Sequence, residues 1–459
     1  MADVSTSRFA RGTRLGRFAA RQAVRNARIR FERLTDPRDA EAQATHDAVL
    51  AAADELVDLL GGMKGAAMKL GQLLSIIDLD VLPDGRREEF RSKLAVLQDR
   101  APTVPFERMR PVLEQDLGRT VEETFAEFDT TPIAAASIGQ VYRARTHDDR
   151  AVAVKVQYAG IATAVRADLK NLALLLKFSK PVFPSLDHTA MAEEIRLHIE
   201  EELDYLHEAR VQRELARRYA DHPAILVPDA LTELCGPRVL VSQYVTGRRM
   251  GDVRTLPAQV RDRVGELVYR FYIGSMYLDY HFNGDPHPGN VLLAEDGRVA
   301  FLDFGLFKRM TPAAVEIERQ ALRAAIDQRA EDLRDALVRT GGLRPETTLS
   351  ADEVLEYTYD ASPWTFADEA LTMTPELASG AFMVLADPRA EDFQRLRRET
   401  LPAEHFFSRR ADFYTAGILG QLRATANWHR IAREWLCGDA PATELGAQDA
   451  RWRDAQPRS

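Results

Sequence analysis

The chain of 459 residues exceeds what one hydrophobic core usually organises, so we expect two lobes or domains with appended segments. Its 45% apolar and 29% charged residues are typical of a globular protein, and its net charge of -9 excludes a general attraction for nucleic acid. Cys235 and Cys437 are too few and too far apart to suggest a disulfide framework or a zinc site, which favours a reducing compartment. No apolar run reaches the roughly 18 residues that span a bilayer, and no signal peptide is predicted. We therefore expect a cytoplasmic protein.

Residues 1–35 form a basic segment in which arginines recur mostly every three or four positions from Arg8 to Arg33. This spacing puts many of the arginines on one side of a helix and alanines on another. One interpretation is a helix that binds anionic headgroups, which would place the protein peripherally at the inner face of the membrane. The other is a solvated tail, because an alanine-rich face is only weakly apolar. The sequence leaves both open.

The next part of the chain changes from helical to strand-like periodicity. Residues 36–105 have the apolar spacing of helices and are predicted to form a helical extension, and prolines near its end mark a boundary. We assign residues 106–246 to a small lobe that contains a sheet. The predicted strands are 140–145, 151–156 and 238–243, and the predicted helices lie over 106–127 and roughly 161–220.

The remainder of the chain is predominantly helical. Residues 247–437 are predicted to form a larger helical lobe with short strands only at 291–293 and 299–302. Within it, 403–436 has the pattern of an amphipathic helix, and 438–459 has the composition of a polar tail. A small sheet-containing lobe before a larger helical lobe is the order found in protein kinases. The predicted fold class is therefore α+β, a protein-kinase-like two-lobed fold with an N-terminal helical extension.

Two short motifs in the large lobe supply the groups needed for phosphoryl transfer. The segment from Asp285 to Asn290 reads D-P-H-P-G-N, and Asp303 opens a D-F-G triplet thirteen residues after it. Phosphoryl transfer needs a carboxylate beside the attacking hydroxyl or water, an amide oxygen on a divalent ion, and a second carboxylate that bridges the ion to the phosphates. The short strands between the motifs would bring them together as a hairpin does. Each motif alone is a weak signal, but their spacing predicts Asp285 as catalytic and Asn290 and Asp303 as metal ligands.

Lys155 follows the strand sequence Ala-Val-Ala-Val, the context of a lysine that binds the α- and β-phosphates of a nucleotide. Such a lysine needs a carboxylate from the next helix, and Glu202, Asp204 and Glu208 lie there. Glu202 and Glu208 are six residues apart and so do not share a helical face. The three carboxylates are therefore expected to have different duties, unless some of them belong to an acidic solvated face.

An alanine-rich loop replaces the glycine-rich phosphate loop of ordinary kinases. Ala134, Ala135, Ala136 and Ser137 stand where a G-x-G-x-x-G pattern would be. Their Cβ atoms remove the freedom to adopt positive φ, so we expect the backbone to approach the phosphates differently. We predict that these four residues bind the nucleotide.

Together these motifs resemble the UbiB/AarF family of atypical kinases. The resemblance covers roughly residues 60–310 and also rests on a K-x-G-Q motif with Lys69 and Gln72 and on the E-x-D motif of Glu202 and Asp204. In that family the K-x-G-Q helix lies over the site at which a protein kinase binds its peptide, held by the E-x-D carboxylates. The resemblance implies that these four residues form a regulatory cover.

The resemblance also implies roles for other residues and for ligands. Glu208 would pair with Lys155, and both would belong to the catalytic set with Asp285. Tyr244 and Val245 would form the hinge that contacts adenine through backbone groups. The expected ligands are ATP with Mg²⁺ or Mn²⁺, used in hydrolysis or in phosphoryl transfer to a small molecule or lipid-related substrate. The family implies a role in isoprenoid-lipid or quinone metabolism.

Departures from ordinary protein kinases argue against peptide phosphorylation. Asn283 and Gly284 replace the His-Arg that precedes the catalytic aspartate, so no arginine is placed to bind an activation-loop phosphate. No A-P-E segment follows Asp303, and Thr311-Pro312 is predicted to start a helix almost at once. A C-terminal membrane-spanning pair, common in the family, is also missing from the sequence pattern. Any membrane contact is therefore expected to be peripheral.

Two other functions remain open at this point. An antibiotic- or choline-type phosphotransferase has a similar aspartate loop, although the K-x-G-Q motif and the alanine-rich loop argue against it. A nucleotide-gated scaffold that binds a lipid or another small ligand would keep the same site but little turnover. The expected partners are ATP, a lipid or quinone-like small molecule and an anionic membrane surface, with no nucleic acid.

Overall fold

A computed structural model describes residues 103–136, 138–167, 193, 196–197, 199–378 and 403–456, with the side chains of 403–410 excepted. The basic segment 1–35 and nearly all of the helical extension 36–105 lie outside the described residues, as do Lys69, Gln72 and Ser137. What the sequence predicts for them remains a prediction.

The small lobe is an antiparallel sheet covered on one face by a helix. Its elements are, in chain order, α1 (Phe106–Leu117), α2 (Val121–Thr124), β1 (Phe125–Phe128), β2 (Ala134–Ala135), β3 (Gly139–Thr146), β4 (Ala151–Gln157), helix α3 (Tyr205–Arg218) and β6 (Val239–Gln243). The short strand β5 (Ile225–Leu226), between α3 and β6 in the chain, belongs to another sheet. The strand order is β1-β3-β4-β6, and β2 also pairs with β3. Strand β3 alternates buried and more exposed residues, and the buried side of the sheet packs on α1 through Phe106, Tyr142 and Val154. The three strands predicted for this lobe are confirmed.

The single helix predicted over 106–127 is wrong, because the chain breaks there twice. Gly118 ends α1 in the left-handed conformation with a φ of 65°. Thr120 and Glu123 then form a capping box that starts the one-turn helix α2. The remaining residues form β1, which pairs with the outer edge of β3. Phe125 and Phe128 pack into the core of the sheet, which explains why this segment is a strand.

Helix α3 is attached to the sheet at its first turn. Asp204 is the N-cap residue, and its side chain accepts a hydrogen bond of 3.0 Å from the backbone N–H of His207. The buried side chain of Gln157, the last residue of β4, donates to the carbonyl oxygen of Leu203 at 3.0 Å. The start of α3 is therefore fixed relative to β4.

The large lobe packs helices around an aromatic core. Helix α5 continues into a π-helical turn at Arg270–Gly274, and within that turn Phe271 stacks on Phe301 with ring centroids 3.7 Å apart. Its helices are α4 (Met250–Val253), α5 (Ala258–Tyr269), α6 (Ser275–Leu278), α7 (Pro312–Ile326), α8 (Ala330–Arg339), α9 (Ala351–Ala361), α10 (Pro363–Phe366), α11 (Ala403–Leu422), α12 (Trp428–Leu436) and α13 (Glu444–Ala455). Thr311 caps α7, so the helix predicted from Thr311-Pro312 is confirmed.

Short strands arrange the loops between these helices. They are β7 (Gly247–Arg249), β8 (His281–Asn283), β9 (Val291–Ala294), β10 (Val299–Phe301), β11 (Phe307–Arg309), β12 (Leu371–Thr372) and β13 (Thr425–Ala426). One sheet has the order β5-β10-β9-β7, and the pairs β8–β11 and β12–β13 stand alone. The two strands predicted within 291–302 are confirmed. A small sheet lobe followed by a larger helical lobe confirms the predicted α+β, kinase-like arrangement.

The segment predicted as one amphipathic helix over 403–436 is divided in two. Arg423 has a φ of 49°, which stops α11, and the chain then forms β13 opposite β12. Asn427 caps α12 by accepting a 2.9 Å hydrogen bond from the backbone N–H of Arg430. Among the helices that the structure describes, none is both long and apolar enough to cross a bilayer.

The C-terminal region differs from the polar tail that its composition suggests. Residues 444–455 form helix α13, which starts at the N-cap Thr443. Trp452 stacks on Tyr219 with ring centroids 5.3 Å apart, and Arg453 donates to Asp279 at 2.8 Å. Trp452 and Leu445 pack against the core, and partners far away in the sequence pair with Asp449 and Arg453, so composition alone does not reveal this helix.

Candidate nucleotide and metal site

An ion pair links the sheet of the small lobe to helix α3. Lys155 lies on β4, and its Nζ donates to Oε1 and Oε2 of Glu208 at 2.9 and 3.0 Å. The Glu208 side chain is 2% exposed and that of Lys155 17% exposed, so water screens the pair only weakly. The structure brings together the two residues that the family resemblance pairs.

The pKa values of this pair reflect burial and the surrounding charges. Burial opposes the positive charge on Lys155, but the carboxylates of Asp303 and Glu208 prevail and raise its pKa well above the ordinary value. Burial, only partly opposed by Lys155, raises the pKa of Glu208 to about 7. The ammonium is therefore fully charged at neutral pH, whereas the carboxylate of Glu208 titrates near neutrality.

Asp303 is the third charged group at this point. Its Oδ2 lies 3.5 Å from the Nζ of Lys155, and its Oδ1 accepts a 3.0 Å hydrogen bond from the backbone N–H of Gly305. The fully buried ring of Tyr205 lies beneath the ammonium, with 4.9 Å between Nζ and the ring centroid. Among the described residues the Tyr205 hydroxyl has no hydrogen-bond partner. Burial raises its pKa, so it stays protonated.

The loop that contains Asp285 is fastened to the backbone of Asp303. The buried side chain of Asn283 donates from Nδ2 to the carbonyl oxygen of Asp303 at 2.6 Å and accepts from the backbone N–H of Asp285 at 2.9 Å. Strands β8 and β11, on either side of these residues, pair with Asn283 opposite Phe307. One side chain therefore sets the relative position of the two aspartates.

The hairpin β9–β10 brings Asn290 beside the D-F-G segment. The backbone N–H of Leu302 donates to the carbonyl oxygen of Asn290 at 3.0 Å, one residue before Asp303. Among the described residues no group of three or more His, Cys, Asp or Glu side chains could hold a metal ion alone. One carboxylate and one amide oxygen fit a Mg²⁺ ion that takes its other ligands from phosphates and water. The residues present therefore suit an ion that arrives with a nucleotide.

The alanine-rich loop is the tip of a hairpin on the same sheet as Lys155. Ala134 pairs with Val141, and Val141 pairs with Lys155 on the next strand. Directly opposed residues of paired strands share a face of the sheet, so these three form one row. The backbone N–H of Ala136 donates to the carbonyl oxygen of Gly139 at 2.9 Å and closes the turn. The structure thus places Ala134 on the face from which Lys155 projects.

The segment after β6 connects the two lobes. The backbone N–H of Tyr244 donates to the carbonyl oxygen of Ala151 at 3.0 Å, and Val245 follows it half-buried. The guanidinium of Arg143 lies 4.8 Å from the centroid of the Tyr244 ring. The position of Tyr244 and Val245 between the lobes agrees with the hinge role that the resemblance implies, which stays a prediction.

The two carboxylates of the E-x-D motif occupy different places. Asp204 is exposed and caps α3, as described above, whereas Glu202 lies close to the site. A Cβ atom on Gly305 would be 3.5 to 3.8 Å from side-chain atoms of Asp303, Glu208 and Glu202. Glu202 and Asp204 therefore occupy different places, while the duties predicted for them stay a prediction. Their contacts with Lys69 and Gln72 lie outside the described residues.

Sequence reasoning missed the residues that hold the site rather than form it. In the sequence Asn283 stands out only as a replacement for histidine, and no pattern indicates Tyr205 or the ion pair of Lys308 with Glu201. Tyr272 lies in the π-helical turn, where burial and the charges of two aspartates nearby raise its pKa. Asn283 and Asp303 are 20 residues apart and Lys308 and Glu201 are 107 apart, so no local pattern indicates these contacts.

Comparison with known proteins shows the family to which the chain is similar. A model of the ABC1 atypical kinase-like domain matches residues 96–337. The chain is similar to Protein ACTIVITY OF BC1 COMPLEX KINASE 8, chloroplastic, of Arabidopsis thaliana, with 32% identity over 62% of this chain and 38% of that protein. It is also similar to AarF domain-containing protein kinase 1 of Mus musculus, with 32% identity over 65% of this chain and 58% of that protein. The matched part of the chain thus spans less than two thirds of the length of these relatives.

A solved structure is similar over a larger share of the chain. It is described as the complex structure of Rv3197 and erythromycin from Mycobacterium tuberculosis. The TM-score is 0.61 at 30% sequence identity, and the match covers 86% of this chain and 97% of that chain. The similarity therefore extends well beyond the residues that the family model matches.

Proposed function

The chain belongs to the ABC1 atypical kinase-like family, and from this premise we propose that it is an ATP-binding kinase or ATPase of the UbiB/AarF type. It uses Mg²⁺ or Mn²⁺ and either hydrolyses ATP or transfers the phosphoryl group to a small molecule or lipid-related substrate. The substrate class we propose is that of isoprenoid-lipid or quinone metabolism. The observation that supports this most strongly is that Glu208 and Asp303 both lie within 3.5 Å of the Lys155 ammonium.

Lys155 binds the phosphates, and Glu208 orients it. The ammonium has three donors, and Glu208 lies on one side of it with Asp303 nearby, so a donor remains for a phosphate. If the lysine left this position, the carboxylate of Glu208 would remain buried without a charged partner, which is unfavourable. The pair therefore holds its geometry before the nucleotide binds, which lowers the cost of binding.

Asp285 is the group that accepts the proton of the attacking hydroxyl or water. Asn283 fixes its backbone relative to Asp303, so the base and the metal ligand keep their separation. Asn290 and Asp303 hold the divalent ion with their amide and carboxylate oxygens. When bound, that ion neutralises charge on the phosphates.

The short segment after the D-F-G triplet favours a small substrate over a peptide. Helix α7 begins at Pro312, seven residues after Gly305, and β11 occupies part of the interval. A protein kinase binds its peptide against a much longer activation segment. Asn283-Gly284 in place of His-Arg removes the arginine that would bind a phosphate on such a segment. Phosphorylation of generic peptides is therefore not part of the proposal.

The test is ATP turnover by the purified chain with Mg²⁺. We expect turnover to rise when quinone-like phenols or anionic liposomes are added, and the Asp303→Asn protein to serve as the blank. The liposome arm also tests the proposed peripheral binding by the arginines of residues 1–35, which weakens as salt rises. Turnover that is equal in the wild type and in Asp303→Asn would overturn the proposed chemistry.

A second candidate function is a nucleotide-gated scaffold that binds an apolar small molecule. The solved relative with 30% identity is described as a complex with erythromycin, a large and mostly apolar ligand. If the chain works in this way, binding of such a ligand changes with Mg²⁺ and ATP while turnover stays negligible. Equilibrium dialysis of erythromycin with and without nucleotide separates this function from the first.

A further inference from the structure

The strand that follows the D-F-G triplet is ion-paired both to helix α3, which contains Glu208, and to the residues just before that helix. Lys308 of β11 donates from Nζ to both oxygens of Glu201 at 2.8 Å, and these side chains are 26% and 37% exposed. The next residue, Arg309, donates to both oxygens of Glu214 at 2.5 and 2.7 Å. Basic side chains from one short strand therefore contact two acids that are thirteen residues apart.

These contacts lie on either side of Glu208. Glu201 precedes the N-cap of α3, and Glu214 lies in the second half of that helix. Lys308 and Arg309 therefore reach toward opposite ends of α3. Strand β11 is itself paired with β8, which leads into the loop with Asp285. The ion pairs thus connect the helix of Glu208 to the catalytic loop.

Helix α3 needs such a restraint because its key side chain is buried. The side chain of Glu208 is 2% exposed, so docking of its charged form against the sheet has an electrostatic cost that its pairing with Lys155 offsets. In protein kinases the corresponding helix is held by contacts that depend on phosphorylation of the activation segment. Here the described residues after Asp303 run directly into β11 and α7.

We propose that Lys308 is a positioning residue whose ion pair with Glu201 holds α3 so that Glu208 stays on Lys155. The inference rests on the proposed nucleotide-binding function and adds its regulation: the site is assembled without a phosphorylated segment. The Arg309–Glu214 pair is exposed on both sides, at 68% and 60%, and exposed pairs contribute little. The partly buried Lys308–Glu201 pair is therefore the effective one.

The experiment measures the Kd of the Mg²⁺-ATP complex for Lys308→Gln and Glu201→Gln. We expect each variant to bind roughly three- to tenfold more weakly, the range that corresponds to loss of one partly buried ion pair. Lys308→Arg should retain most of the affinity. The matched control is Arg166→Gln. It removes the bidentate ion pair of Arg166 with Glu200, the residue next to Glu201 in the chain, and should change the Kd less than about twofold.

A double-mutant cycle distinguishes positioning from a general effect on the fold. If Lys308 acts through Glu208, Lys308→Gln adds no further loss of affinity in the Glu208→Gln background. Additive losses would overturn the proposal, and so would a loss equal to that of Arg166→Gln. Should Lys308→Gln fail to fold, Glu201→Gln provides the same test. The charge-reversed protein with Lys308→Glu and Glu201→Lys provides another, and restored affinity there supports the proposed role of the Lys308–Glu201 ion pair.

A second measurement needs no nucleotide and so separates this inference from the proposed function. Hydrogen exchange of the amides of 205–211 should be faster in Lys308→Gln than in Arg166→Gln, because the first half of α3 is released. Equal exchange rates of these amides in the two variants would contradict the proposed role of the Lys308–Glu201 ion pair, even if the wild type binds ATP. If the wild type binds no nucleotide but exchange is faster in Lys308→Gln, the proposed function is contradicted. The positioning role of the Lys308–Glu201 ion pair is then still supported.

Discussion

The charged residues of the site are paired, and the charge state of each depends on its partner. Lys155 lies between Glu208 and Asp303, so its ammonium remains charged across the physiological pH range. Glu208 has one charged partner and is otherwise buried, which makes it the group whose charge changes near neutrality. Nucleotide binding should therefore depend on pH through Glu208.

We predict that the affinity for Mg²⁺-ADP falls as the pH is lowered from 8 to 6. With a pKa of about 7, the ionised fraction of Glu208 falls over this range, so the loss is at most about tenfold. The Glu208→Gln protein should bind more weakly and with a flatter pH dependence, because titration of the ligand is common to both proteins. Titration calorimetry at several pH values measures this, and identical pH profiles would show that Glu208 does not titrate in this range.

His281, the first residue of β8, provides a prediction about stability. Its ring is buried against Phe307 at 4.6 Å between centroids, and burial lowers its pKa to about 4. Because the pKa of His281 is lower in the folded than in the unfolded chain, the unfolded chain binds a proton more readily as the pH falls. The unfolding free energy is therefore unaffected by His281 above about pH 6.5 and decreases as the pH falls toward 4. From pH 7 to pH 5 the expected loss is about 2 kcal/mol.

Urea unfolding at both pH values tests this. The difference in unfolding free energy between pH 7 and pH 5 should be smaller in His281→Gln by about 2 kcal/mol. Other titrating groups, including Glu208, are common to the two proteins and cancel in the comparison. A variant with the same pH dependence as the wild type would mean that His281 is protonated in the folded chain.

At the scale of elements, the alanine-rich hairpin depends on one close approach between strands. A Cβ atom on Gly139 would overlap the carbonyl oxygen of Val156 on β4, so the glycine is required by the pairing of β3 with β4. The alanines on the other arm of the hairpin are exposed or half-buried. The sequence drew attention to these alanines, whereas the steric restriction lies at the glycine that follows them.

Gly139→Ala should therefore lower the unfolding free energy by about 2 kcal/mol or more and weaken nucleotide binding, because β3 must shift away from β4. Gly251→Ala is the matched control, since a Cβ atom there meets no atom within 4 Å. The control should be neutral or slightly stabilising within its short helix. Equal stability of the two variants in urea would contradict the pairing of β3 and β4 at this point.

At the scale of the molecule, helix α13 closes the large lobe. Trp452 is 7% exposed and packs on Tyr219 and His222, while Arg453 and Asp449 pair with Asp279 and His222. We predict that Trp452→Ala lowers the unfolding free energy by about 3 kcal/mol. The exposed neighbour Arg451 is the control, and Arg451→Ala should change it by less than about 0.5 kcal/mol. If Trp452→Ala lowers the unfolding free energy as little as Arg451→Ala does, this region does not pack against the large lobe and is better described as a polar tail.

The order of the lobes and the principal strands followed from periodicity, and the groups of the site followed from motif spacing. Asp285, Asn290 and Asp303 could be found because they lie within nineteen residues of one another, and Lys155 because its strand has a distinct pattern. The positions of Asn283, Lys308 and Trp452 could not, since their partners are distant in the chain. The helix breaks at Gly118 and Arg423 depend on single left-handed residues, which periodicity does not register.

Asp303 is the proposed ligand on which binding of the divalent ion depends most. Titration calorimetry of ATP with and without Mg²⁺ on the folded wild type and on Asp303→Asn measures this, with Asp296→Asn, an exposed aspartate in the β9–β10 turn, as the control. We expect Mg²⁺ to strengthen ATP binding in the wild type and in Asp296→Asn but not in Asp303→Asn. A folded Asp303→Asn protein that keeps the full Mg²⁺ dependence of the wild type would contradict this role of Asp303.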